Sequence, residues 1–102
     1  MVKHVVMWRL RSTDEKTRSI IRDMLSGLPD VIESLKSLEV GEDFNKGPFA
    51  YDLLLITTHA DRSALKEYKE HPEHVTVANR IKELTTERAV VDFEYKEDVK
   101  RG

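Results

Sequence analysis

Pro72, inside the stretch Tyr68-Lys69-Glu70-His71-Pro72-Glu73-His74, constrains this chain more than any other residue. Proline has no backbone N–H and a nearly fixed φ, so it suits the first turn of a helix and breaks a helix interior. The stretch therefore predicts one helix ending near Glu70 and another opening at Pro72. His74 then lies in the first turn of the second helix, facing back toward whatever Tyr68 faces. A phenol and an imidazole converging at a helix junction make either a proton-transfer site or a junction held by packing.

The elements on either side follow from periodicity. Val2 to Leu10 is rich in β-branched and aromatic residues and reads as a strand. Its alternation puts Val2, His4, Val6, Trp8 and Leu10 on one face and Lys3, Val5, Met7 and Arg9 on the other. Ser12 followed three residues later by Glu15 has the form of a capping box. Ile20, Ile21, Met24, Leu25 and Leu28 then give one apolar helical stripe, which Gly27 and Pro29 end. One further short turn is expected within Pro29 to Leu35. Leu38 to Asp43 reads as a second strand, Asn45-Lys46-Gly47-Pro48 as a turn, and Tyr51 to His59 as a third strand containing the run Leu53-Leu54-Leu55-Ile56. Asp61 is an N-cap for a helix through Glu70, with Ala64, Leu65 and Tyr68 inward. The helix from Pro72 carries Val75, Ala78, Ile81 and Leu84, and Arg88 to Tyr95 alternates as a last strand. The charged tail from Lys96 is expected to fray.

The order β-α-β-β-α-α-β is a split βαβ pattern of the ferredoxin-like kind: α+β, a four-stranded antiparallel sheet with helices on one face. The other face carries Val5, Met7 and residues of the Leu53–Ile56 run, which call for cover. A second copy of the same sheet supplies it, so a two-fold homodimer with a shared barrel core is expected. At 102 residues the chain suits one domain, residues 1–102. Its 17 Lys and Arg against 19 Asp and Glu show no basic cluster, which argues against nucleic acid as a partner. Without cysteine there is no disulfide, thiol nucleophile or Cys-based zinc site. The apolar run at the N-terminus is too short for a secretory segment or a membrane span, so a cytoplasmic location with no membrane partner is expected.

Five segments in order resemble the stress-responsive dimeric A/B barrel (Dabb) family. They are Val2-Lys3-His4-Val5-Val6, Ser37-Leu38-Glu39-Val40-Gly41, Tyr51-Asp52-Leu53, Tyr68-x-x-His71-Pro72-x-His74 and Ala89-Val90-Val91-Asp92-Phe93-Glu94. The resemblance runs from Val2 to Tyr95 and implies a homodimeric ferredoxin-like barrel. A plant branch, the polyketide (olivetolic acid) cyclases, is similar more distantly; it closes aromatic rings by aldol chemistry without a cofactor. That branch implies His4, Tyr68 and His74 as pocket residues. Leu53 stands here where the cyclases carry a further pocket histidine, a departure that touches the chemistry and leaves the fold intact.

His74 is the candidate general base, because an imidazole titrates near pH ~6.5. Tyr68 is the candidate oxyanion donor, and His4, projecting from the first strand, would orient or stabilise. Trp8, His71 and Leu53 are expected to contact a substrate in a small apolar pocket between sheet and helices. No cofactor or metal is expected: a site from His71 and His74, spaced i, i+3, is conceivable, but Pro72 puts His71 outside the helix and no carboxylate at convincing spacing completes a set. Asp92 and Glu94 share a strand face and are expected to meet solvent or the dimer partner rather than perform glycosidase chemistry. The reading is cofactor-free proton transfer on a small carbonyl or polyketide-like compound. A non-catalytic ligand-binding or stress-associated dimer is the alternative, and a cofactorless monooxygenase is a third, resting on fold analogy alone. An open cavity reached by His74 favours catalysis; a filled one favours the second.

Overall fold

A computed structural model describes residues 1–96 of the chain, so the expected fraying of the tail lies mostly outside the described residues. The elements are β1 (Val2–Leu10), α1 (Glu15–Ser26), a 3-10 turn (Leu28–Asp30), β2 (Ser37–Glu42), β3 (Leu53–His59), α2 (Arg62–Glu70), α3 (Pro72–Leu84) and β4 (Thr85–Glu94). The strands form one antiparallel sheet in the order β2-β3-β1-β4. The three helices cover a single face. This is the α+β, ferredoxin-like arrangement expected from the element order.

β1 alternates without a break, every even residue buried and every odd residue half-buried. Val6 pairs with Leu55 on one side and Val90 on the other. The even-numbered side chains of β1 and β4 and the odd-numbered ones of β3 thus share the helix-facing side. Against them pack Ile21 and Leu25 of α1, Leu65 and Tyr68 of α2, and Ile81 of α3, all buried. Fully burying one such aliphatic side chain is worth about 1.5–3 kcal/mol. This layer therefore holds the subunit together.

Several boundaries differ from the sequence expectation. The residue that caps α1 is Asp14, whose Oδ1 accepts from the Thr17 N–H at 2.8 Å, while Ser12 donates to Asp14 Oδ2. The helix thus starts two residues later than the capping box at Ser12 implies, because Asp and Ser both cap well and only one can stand at the entry to the first turn. Val75, expected to face inward, is 43% exposed. It lies off the α3 stripe that Ile81 and the half-buried Val77, Ala78 and Leu84 define. β4 opens three residues before Arg88, at Thr85, which is extended and pairs with Leu10 across a bulge. In the turn after β2 the left-handed residue is Lys46, φ 51°, with its N–H donating to Asp43 Oδ2. Asp52 ties the end of the same loop to β1: its N–H donates to the Trp8 carbonyl and its carboxylate accepts from the Leu10 N–H, both at 2.8 Å. Among the described residues no helix is long and apolar enough to cross a membrane.

Candidate active site

The helix junction is built by local sterics. A residue before proline is pushed out of the helical region, and His71 is extended, with φ −63° and ψ 133°. It ends α2 and caps α3, its Nδ1 accepting from the Glu73 N–H at 3.1 Å. That cap turns the chain so that His74, one turn into α3, stands over Tyr68 at the end of α2. Their ring centroids are 4.5 Å apart.

Tyr68 is the centre of the arrangement. It is fully buried, with the His59 ring 4.9 Å and the His4 ring 6.1 Å from its own. Its hydroxyl is buried and has no hydrogen-bond partner among the described residues. A buried hydroxyl left unpaired costs free energy, so it is a donor waiting for an acceptor. Burial also pushes the phenol up to about 12, which keeps the proton on the oxygen.

The three imidazoles differ in what their partners leave free. His74 Nδ1 donates to the Lys69 carbonyl at 3.0 Å, since a carbonyl can only accept. Nε2 is then left with its lone pair, and burial holds the group below the ordinary histidine value, in its neutral, basic form. His59 is closed: Nδ1 donates to the Ser34 carbonyl at 2.9 Å and Nε2 meets the Thr57 hydroxyl at 2.8 Å. His4 Nδ1 meets Asp92 Oδ1 at 2.5 Å. Burial lowers the proton affinity of His4 more than the carboxylate raises it, so the pair is a neutral imidazole donating to a carboxylate. For Asp92, burial pushes the carboxyl up, but hydrogen bonds from His4 and Lys69 outweigh it and the net shift is downward.

His4, Tyr68 and His74 line one cavity of about 770 Å³ between the sheet and α3, together with Trp8. Four of the six residues singled out in the sequence are thus brought together. His71 and Leu53 are not on that lining. His71 spends its ring on the helix cap, and Leu53, opposite Trp8 on β3, is packed into the core. Asp92 is exposed, as expected, and also reaches the helix side, because it stands directly opposite His4 in the β1–β4 register. Glu94 stays exposed and pairs with Arg62 at 2.6 Å.

Three residues were missed from the sequence. Lys69 joins the two histidine arms, its carbonyl to His74 and its ammonium to Asp92 Oδ2 at 2.9 Å. Asp92 is the second. His59 is the third; it sits on the same face of β3 as Leu53, six residues further on, and strand alternation alone would have paired it with that face. Among the described residues no group of three or more His, Asp or Glu side chains is placed to hold a metal ion.

Residues 2–95 match the Stress responsive A/B Barrel Domain family, and the chain belongs to it. An uncharacterized protein of Streptomyces coelicolor is 29% identical over 98 residues, which span 93% of this chain and 100% of that one. A crystal structure from Bacteroides fragilis, described as a dimeric protein of unknown function with a ferredoxin-like fold, superposes with a TM-score of 0.79. It is 28% identical, and the match covers 92% of this chain and 95% of that one. A hydroxynitrile lyase from Passiflora edulis shares the fold at a TM-score of 0.81, with 18% identity over 97% of this chain and 96% of its own.

Proposed function

We propose that this stress responsive A/B barrel protein is a homodimer whose subunits each bind a small carbonyl compound and move a proton on it without a cofactor. The observation that carries the reading is the unpartnered Tyr68 hydroxyl, buried on a residue that lines the cavity beside His74 and within reach of a ligand only if the side chains around it give way. A carbonyl oxygen seated there would accept from Tyr68. His74 Nε2 would take a proton from the carbon next to the carbonyl, and the C–H electron pair would move onto the oxygen as an enolate. Tyr68 stabilises that developing charge, because burial keeps the proton on its oxygen and so keeps it a donor. The imidazolium then returns its proton to carbon, or the enolate carbon attacks a second carbonyl in an aldol step and the alkoxide so formed takes the proton back from the imidazolium. His4, its Nδ1–H held by Asp92, would present the Nε2 lone pair from the strand side, where it would accept from a hydroxyl of the ligand. A hydroxynitrile lyase on the same fold supports small-carbonyl chemistry by analogy alone.

The dimer rests on the uncovered sheet face. Val91 and Phe93 are exposed there beside half-buried Val5 and Met7. On the same face the Arg9 guanidinium stacks over the Tyr51 ring at 4.6 Å, yet its buried Nε has no acceptor. A second copy would cover the apolar residues and could supply that acceptor, and the Bacteroides fragilis relative is dimeric.

Proton exchange tests the chemistry before any substrate is known. The methyl protons of acetophenone in heavy water should exchange faster with the protein than in buffer. His74→Ala and Tyr68→Phe should each slow that exchange by about a hundredfold while the fold is kept. Exchange by the unaltered protein no faster than buffer would sink the proposal.

A further inference from the structure

We infer that the ligand of this cavity is an anion: an apolar carbonyl compound bearing a carboxylate, which Arg88, Lys82 and Arg11 receive at the cavity mouth. The inference rests on the reading of Tyr68 as a carbonyl donor and adds the other end of the molecule. The floor of the cavity, at Val6, Trp8 and Leu55, is apolar, whereas its rim on α3 and β4 is cationic. Four cationic side chains line it, Arg11, Lys69, Lys82 and Arg88, against one acidic one, Glu87. The internal pairings leave most of that charge unanswered. Lys69 is held by Asp92, and Glu87 is taken by Arg9 at 3.5 Å. Arg11 uses only its Nε, donating to the Glu83 carbonyl, and keeps both terminal nitrogens. Arg88 and Lys82 have no side-chain hydrogen bond or ion pair among the described residues.

Two physical consequences point the same way. Three cations without an ion pair among the described residues, around one opening, repel each other and attract an anion from solution. Two guanidiniums among them match the planar fork of a carboxylate. Arg88 also stands close enough to His74 to disfavour its protonation, behind burial as the main cause. An anionic ligand would therefore bridge the mouth to the candidate base, its carboxylate at Arg88 and its carbonyl at Tyr68.

Trp8 lines the cavity and is the sole tryptophan of the chain, so its fluorescence reports occupancy. Benzoylpropionate carries a ketone, an apolar ring and a carboxylate; its primary amide is the neutral counterpart. The acid should bind about tenfold tighter than the amide at low ionic strength, and the gap should narrow in about 0.5 M NaCl. Arg88→Gln should shrink the gap, and Arg11→Gln with Lys82→Gln added should close it, with affinity for the amide unchanged. All three side chains are exposed, and an unaltered melting curve confirms that the variants fold. Equal affinity for acid and amide, no quenching by the acid, or a gap that survives all three substitutions would overturn the inference. Tyr68→Phe separates this result from the reading it rests on. It should weaken acid and amide alike; if it weakens neither while the gap persists, the carbonyl role of Tyr68 fails and the anion site stands.

Discussion

Along β1 the side chains facing the helices are almost without solvent contact, Val2 at 2% and Val6 at 1%, while Lys3, Val5, Met7 and Arg9 on the opposite face are all half-buried. β4 sharpens the contrast, since Val91, the register partner of Val5, is 61% exposed. One face of the sheet is completed by its own chain and holds the cavity. The other is apolar without being covered, and it ends in Arg9, whose buried Nε has no acceptor among the described residues. The difference teaches that the subunit is stabilised from one side, while the proposed dimer would draw on the other, so the two faces should fail in different ways.

The largest effect is expected on the covered face. Ile21→Ala removes a fully buried side chain from α1 and should cost about 2–5 kcal/mol in urea unfolding. The loss should appear at every protein concentration, with the concentration dependence of the melting temperature intact. On the uncovered face, Val91→Asp should do the reverse. It places a charge where two sheets would meet, and sedimentation should find a folded monomer in place of a dimer. A melting temperature that never depended on concentration in the unaltered protein would erase the contrast.

Acid should act next, and near the histidine range it should act through the covered face. His4, His59 and His74 each have their proton affinity lowered, chiefly by burial. The unfolded chain therefore binds protons at a higher pH than the folded one. Their contribution to stability is full above the ordinary histidine value of 6.5 and is lost as the pH falls below it. Denaturant midpoints measured from neutral pH downward should fall through that window, and a midpoint that rises there would contradict the assignment of neutral imidazoles. Smallest of all should be the effect of Tyr68→Phe on stability. Its hydroxyl has no partner to lose, so the change should be within about 0.5 kcal/mol and of stabilising sign. A loss above about 1 kcal/mol would mean that the hydroxyl is already satisfied and is no donor in waiting.

Much of this architecture was legible beforehand, because it depends on short-range periodicity. Strict alternation from Val2 to Leu10 marks a strand with two apolar faces, the stripe through Ile21 and Leu25 marks a helix, and His71-Pro72 marks a break that no neighbouring contact can undo. The gathering of His4, Tyr68, His74 and Trp8 on one cavity also followed, since each lies on the inward face of an element whose order was readable. What escaped was everything that depends on a neighbour distant in sequence. Asp14 rather than Ser12 caps α1 because of how the chain enters the turn, and Val75 is exposed because the sheet meets α3 along Ile81.

The sequence by itself determined which side chains share a face of each element, because backbone geometry alone repeats every two residues in a strand and every 3.6 in a helix. Only the tertiary structure decided what stands opposite them. Asp92 reaches His4 across 88 positions through the β1–β4 register, and the same register puts Arg88 beside Trp8 at the cavity. Register is a property of two strands packed under one layer of helices, where a slip of one residue would expel the buried face, and no single strand carries that information. The local pattern built the wall of the site. Packing between distant segments chose the charges set into it.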